Sequence, residues 1–317
     1  LTVVLASRFW IREVLECGVN LALVALAWGA YWCWRNRRDW FGGSLLGFAI
    51  ALKLTPALFL AWFVWKRQWK IAIATTLVTA GLFLTPRLFL NHEWFVGMHQ
   101  VWWHHASRGL IAENPVHGVL GEESIQNVSL RPALARFLVH LPAGHNARFD
   151  HPFAAQFLDL APHTAGWVVR LLTVALVFLV AWQFRHRVNS RGDGTLAWEA
   201  AAISVMILLL SPLTWGQHCV GAIPALYLII RQGLHQKYLD RTTWVGLSLY
   251  SVFILLLNRG VIGKQGTYLL DSYYTTTWCL VGLLFLVLRK HHQTQATEIA
   301  PAMLPMANPK SHLKKAA

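Results

Sequence analysis

Between residues 14 and 90 the chain is three long apolar stretches, 14–34, 41–65 and 69–90, separated only by two short basic clusters, Arg35-Asn-Arg-Arg38 and Lys66-Arg-Gln-Trp-Lys70. A bilayer's hydrocarbon layer is about 30 Å thick and needs roughly 20 mostly apolar residues to cross it as helix. Further stretches of this kind lie at 166–184, 196–214, 217–230, 243–257 and 274–288. Charged residues make up only 13% of the 317, about half the share of a soluble domain. A chain that is 56% hydrophobic cannot be intrinsically disordered. A net charge of +14 would suit a nucleic-acid binder, but cations confined to short clusters between apolar runs argue against one. The pattern predicts an all-α, multi-pass transmembrane helical bundle.

The 41–65 segment departs from a simple span. Lys53 lies at its middle, followed by Thr55 and Pro56. A lysine at the centre of a lipid-facing helix costs about 2.5–3.5 kcal/mol on insertion scales. Proline disfavours helix at the residue before it and leaves a carbonyl upstream without its partner. One straight span would also put the Arg35–Arg38 and Lys66–Lys70 clusters on opposite sides, against the tendency of Lys and Arg to stay cytoplasmic. Two short helices meeting near Lys53 put both clusters on one side. Each would be about 18 Å long, too short to cross, so the break must line a cavity inside the protein.

With that hairpin the remaining loops alternate. Arg185–Arg191, Arg231–Arg241 and the tail from Arg289 join the cytoplasmic side, while 1–13, 91–165, Leu213–Gln217 and Asn258–Tyr273 face the other way. The outer loop 91–165 is too long for structureless linker, and interfacial helices anchored by Trp94, Trp102 and Trp103 are expected in it. The domain reading is a membrane domain over 1–290 and a disordered basic tail over 291–317, with Lys310, Lys314 and Lys315 placed to meet anionic lipid.

Several constellations could carry chemistry. Lys53 is placed to hold a phosphate or to pair with an acid. Ser211-Pro-Leu-Thr-Trp215-Gly-Gln-His218 sits between two spans, where free backbone groups can bind an anion or a sugar oxygen. In it His218 offers a donor or acid–base group, and Trp215 offers a face for a sugar. Asn127-Val-Ser129 reads as a glycosylation sequon, a sugar-binding asparagine or a helix cap. Nine of the 15 histidines fall in the outer loop, without HExxH or HxxEH spacing, so packing at the interface is the reading rather than metal. Among the acids of the outer segments, Glu122-Glu123 is the best candidate base, and no residue is singled out. Cys17, Cys33, Cys219 and Cys279 form no redox or zinc spacing and read as small hydrophobes.

The order of these features resembles glycosyltransferase family 87: a basic run, then Gly43–Leu60 with Lys53 and Pro56, then Lys66-Arg67-Gln-Trp69-Lys70, then Asn127-x-Ser129, then Ser211-Pro…Trp215-x-x-His218, with Gln217 where a second histidine often stands. The resemblance covers roughly 35–235 and implies the multi-span fold called GT-C. It further implies hexose transfer, mannose by family analogy, from a polyprenyl-phosphate donor to a lipid or glycan acceptor on the non-cytoplasmic side. Lys53 would bind the donor phosphate. His218, Gln217, Trp215, Asn127 and Ser129 would bind substrate. No nucleic acid, nucleotide, metal or other cofactor is called for. The family's catalytic acid lies in the loop after its first span, so the general base is expected upstream of Leu1, with this chain on its own inactive. Two other classes fit parts of the pattern: a transporter, which would use the same broken helix and polar turn, and a non-catalytic membrane assembly subunit.

Overall fold

A computed structural model describes residues 1–111, 114–119, 121–122, 124–141, 144, 156–236 and 238–303. The described part is predominantly helical, with one two-stranded ribbon, β1 (His117–Gly118) antiparallel to β2 (Gly121–Glu122). In chain order the first helices are α1 (Thr2–Leu5), α2 (Ser7–Leu15), α3 (Asn20–Arg35), α4 (Asp39–Leu52), α5 (Ala57–Trp65), α6 (Trp69–Leu84) and α7 (His92–Ile111). They are followed by α8 (Leu130–Leu138), α9 (Pro162–Gln183), α10 (Thr195–Leu210), α11 (Ile223–Gln236), α12 (Arg241–Ser251), α13 (Arg259–Ser272) and α14 (Thr275–Met303). Short 3-10 segments cover Thr85–Leu88 and Gly216–Ala222, and a π-helical turn, Val252–Leu256, continues α12.

The broken helix forms as expected. Lys53 ends α4 in an extended conformation, and α5 starts only after Pro56. The two helices fold back on each other. Gly43 packs on Ala74 and Gly47 on Thr75 and Val78, so α4 and α6 run parallel. α5 therefore returns the chain to the end where α4 began. Trp34 Nε1 donates to Gln68 Oε1 at 3.0 Å, which ties the two basic turns together. The Gly43-x-x-x-Gly47 spacing is what lets α4 and α6 approach. A Cβ at Gly43 would stand 2.4 Å from that of Ala74, and one at Gly47 would stand 2.8 Å from Thr75 O.

Two helices among the described residues, Trp69–Leu88 and Pro162–Gln183, are long and apolar enough to cross a membrane alone. Two bent pairs, Ser7–Leu15 with Asn20–Arg35 (117°) and Arg241–Leu256 with Arg259–Ser272 (100°), raise the number to four if each is one span. α10 is a shorter apolar helix of 16 residues, 13 of them buried within the protein. A helix apolar on all sides belongs to a bundle's centre as readily as to lipid. Around α10 a single core gathers α3, α5, α11 and α14, with Trp34, Phe59, Phe63, Leu209, Leu226, Ile229 and Leu280 at its centre.

The basic end is held by ion pairs that sequence reading did not anticipate. Lys66, which ends α5, is fully buried. Its Nζ meets Glu199 Oε1 at 2.8 Å, Phe184 O at 2.8 Å and His186 O at 2.7 Å. Trp62 Nε1 donates to the other oxygen of Glu199 at 2.8 Å, and His291 Nε2 stands 3.4 Å from the first. Nearby, Asp240 caps α12 and is bound by Arg289 and by Lys290 Nζ, the latter at 2.6 Å.

Three further boundaries differ from expectation. The first apolar run, 14–34, becomes helix only from Asn20, because the chain turns at Glu16–Val19 with Cys17 at φ 49°. Cys17 is exposed there, whereas Cys33 and Cys219 are buried. α14 runs past residue 290 to Met303, so the tail expected to be disordered from 291 is helical to that point, with His291 buried. Residues 304–317, including Lys310, Lys314 and Lys315, lie outside the described residues. In the outer loop, α7 carries Trp94, Trp102 and Trp103 exposed, and α8 is amphipathic.

Candidate functional site

The break between α4 and α5 faces the N-terminal part of α3, the C-terminal half of α10 and the 216–222 turn. Together they line a largely apolar, half-open cavity of about 50 Å³, with Asn20, Trp28, Lys53, Pro56, Ser204 and His218 among its walls. Lys53 and His218, singled out separately in the sequence, both line it. Lys53 Nζ stands 3.2 Å from His218 Nε2 and donates to Asn20 Oδ1 at 3.0 Å. Across the cavity Trp28 Nε1 donates to Ser204 Oγ at 3.0 Å.

The local chain explains these positions. Pro56 forces the end of α4, so Lys53 emerges at a helix terminus rather than on a continuous helix face. After α10, Ser211-Pro212 stops the helix. Ser211 Oγ donates to Leu213 O at 2.8 Å, and the 3-10 turn then starts at Gly216. The Trp215 N–H donates to His218 Nδ1 at 3.1 Å, fixing the ring.

His218 is thus flanked by N–H donors at both nitrogens: the Trp215 amide at Nδ1 and the Lys53 ammonium at Nε2. A neutral imidazole has one acceptor nitrogen. Whichever tautomer is present, one of the two donors lacks an acceptor in the ring. Among the described residues, Lys53 has Asn20 and His218 as its partners, and an ammonium has three N–H bonds to place. The cavity therefore presents more donors than acceptors around Lys53.

Asn127 and Ser129 take a different place from the one expected. Both are fully buried, and neither lines the cavity. Asn127 Oδ1 accepts from the Thr214 N–H at 2.8 Å and the Ser129 N–H at 3.2 Å, while Nδ2 donates to Pro212 O at 3.0 Å. The Val128 N–H donates to Thr214 O at 2.7 Å. The side chain read as a sugar ligand or glycosylation acceptor is a staple that fixes the 211–215 turn. Ser129 stands at the N-cap position of α8, but its hydroxyl makes no capping bond. Trp215 is half-buried, its ring nearly parallel to that of His218 at 6.2 Å between centroids. Gln217 is buried and outside the cavity lining.

Sequence reading missed Asn20, Trp28, Ser204 and, behind Asn20, Glu13. Glu13 is buried on α2, accepting from Asn20 Nδ2 at 2.8 Å and the Leu21 N–H at 3.0 Å. The one signal available was two polar residues, seven apart, in a largely apolar start. Among the described residues, no carboxylate lines the cavity, and no three His, Cys, Asp or Glu side chains come together as a metal-holding group.

A family model described as Glycosyltransferase family 87 matches residues 1–214. A polyprenol-phosphate-mannose-dependent alpha-(1-2)-phosphatidylinositol mannoside mannosyltransferase of Mycobacterium tuberculosis is 30% identical over 199 residues, 62% of this chain and 38% of that protein. The protein of the same description from Mycolicibacterium smegmatis is 29% identical over 75% of this chain and 48% of its own length. A pentamannoside mannosyltransferase from the same organism is 26% identical over 78% of this chain and 52% of its own. The chain thus spans about half the length, or less, of these curated relatives. No solved structure matches the chain.

Proposed function

The chain belongs to glycosyltransferase family 87, and from that premise we propose that it transfers a hexose, mannose by analogy with its relatives, from a polyprenyl-phosphate donor to a lipid or glycan hydroxyl. The basic end is placed on the cytoplasmic side of the plasma membrane, with the Lys53–His218 cavity opening to the other side. The relatives' names point to phosphatidylinositol mannosides as the acceptor class to try first.

The observation that carries this reading is the surplus of N–H donors around Lys53 in a largely apolar cavity. In the transfer, the acceptor oxygen bonds to the anomeric carbon. The bond from that carbon to the phosphate oxygen breaks, and its electron pair leaves on polyprenyl phosphate. The hydroxyl proton goes to a base outside the cavity lining. Negative charge thus grows on the phosphate, where Lys53 would meet it, and preorganised charge in a dry site is commonly the largest contribution to such a step. The phosphate oxygens would enter the cavity beside Lys53, with the sugar toward its mouth.

The test is membranes from a host expressing the full gene product, given labelled polyprenyl-phosphate mannose and phosphatidylinositol mannoside. Wild type is expected to transfer label, and Lys53→Ala to fall by about 10²–10³-fold. Normal turnover by Lys53→Ala would refute the phosphate role. A wild type that transfers nothing would favour the assembly-subunit reading.

A further inference from the structure

Behind Lys53, away from the cavity, stands a buried acid that the transfer step does not use. Glu13 is 2% exposed and lies in the last turn of the amphipathic helix α2, which packs against the 216–222 turn. Its Oε1 takes the Leu21 N–H at the start of α3, and its Oε2 takes Asn20 Nδ2. The site is shaped around the carboxylate: a Cβ on Gly18 would stand 2.1 Å from Oε2, so only a hydrogen fits there.

We propose that Glu13 is a positioning residue for donor binding, acting on Lys53 through the Asn20 amide. The proposal rests on the reading of Lys53 as the donor-phosphate group. Its logic is the direction of the hydrogen bonds. A carboxylate only accepts and an ammonium only donates. Between them, an amide can stand in one orientation, with its nitrogen toward Glu13 and its oxygen toward Lys53. The observed contacts have that polarity: Asn20 Nδ2 to Glu13 at 2.8 Å and Lys53 Nζ to Asn20 Oδ1 at 3.0 Å. Polarisation along such a chain strengthens the oxygen as an acceptor. Lys53 is thereby held from the protein side, and its remaining N–H bonds point to the cavity and His218. Replacing the carboxylate by an amide removes the constraint. A glutamine could donate to Asn20 Oδ1, which would turn the Asn20 nitrogen toward the ammonium.

A purely structural role is the rival, since a carboxylate near the start of α3 also suits a helix N-terminus. A charge transplant separates the two. Glu13→Gln, Asn20→Asp and the double variant are compared with wild type and Lys53→Ala in the same membranes, reading donor KM, acceptor KM and thermal stability. The expectation for Glu13→Gln is a donor KM raised roughly ten- to hundred-fold, as for losing one hydrogen bond to a charged group, with acceptor KM unmoved. In Glu13→Gln/Asn20→Asp the charge sits one residue nearer Lys53, with the introduced amide donating to it, and donor KM is expected to return to within a few-fold of wild type. The double variant also decides the matter if Glu13→Gln alone does not accumulate. Wild-type donor KM in Glu13→Gln, or a double variant no better than the single, overturns the proposal while Lys53→Ala remains impaired. Full activity in Lys53→Ala instead overturns the phosphate reading beneath it.

Discussion

Lys53 Nζ and His218 Nε2 stand 3.2 Å apart although 165 residues separate them in the chain. Neither is on a regular α-helix: one closes α4, the other sits in a 3-10 turn. The contact therefore joins two interruptions of helix, one at Pro56 and one at Pro212. Interruptions of this kind are where a membrane protein has backbone and polar side chains to spare.

The contact makes His218 a donor or acceptor at the same point as Lys53. His218→Ala is expected to lower mannose transfer by about ten- to hundred-fold, the range for one hydrogen bond to a charged group. His218→Gln, which keeps an amide at the position, should fall between that variant and wild type. Initial rates in membranes, normalised to protein level, check this.

At the opposite end, the buried Lys66–Glu199 pair should behave as a fold-maintaining contact. Removing one partner leaves the other charge buried, at about 3–5 kcal/mol. Lys66→Met or Glu199→Gln is thus expected to cut thermal stability in detergent sharply. Lys66→Met with Glu199→Leu should recover only part of the loss, because it removes the buried charge but strands the Trp62 N–H and the His186 carbonyl. A double variant as unstable as either single one would refute that account.

Asp240 gives the basic end a pH dependence. Partial burial opposes ionisation, but hydrogen bonds from Lys290, Thr243 and Arg289 outweigh it and hold this carboxyl well below the usual range. A group depressed in the folded state stabilises the fold above its unfolded pKa of about 3.9, and that contribution is lost as pH falls through the folded value. The Tm gap between wild type and Asp240→Asn should be constant from about pH 8 to pH 5 and close below about pH 4. A gap unchanged into that acid range would show that Asp240 acts only as a cap.

Asn127 should matter for stability rather than for substrate. Asn127→Ala strands the buried Thr214 and Ser129 N–H groups, each at about 1–3 kcal/mol. A Tm lowered by several degrees is expected, with donor and acceptor KM near wild type in the protein that remains folded. A raised KM at unchanged Tm would restore the substrate-binding reading.

The hairpin was legible because Lys53 and Pro56 are costly inside an apolar run and the flanking cations demand one side. Lys53 and His218 were legible as separate polar interruptions; their meeting was not, since nothing local links them. Glu13 and Asn20 acquire meaning only from the 117° bend between α2 and α3, which hydropathy does not encode. The part the Asn127 amide plays in the 211–215 turn was not legible, because three residues of sequence say nothing of where a side chain goes. The central packing of α10 was not legible either, because an apolar run does not reveal whether its neighbour is lipid or protein.

The broken helix also bears on how the chain is made. Asn20 and Glu13 leave the ribosome ahead of Lys53, and His218 follows long after. When the hairpin enters the bilayer, the lysine can therefore be escorted by a polar partner already synthesised, while its second partner is still untranslated. The lysine thus has Asn20 to meet from the start, and His218 can join the pair only after 165 further residues.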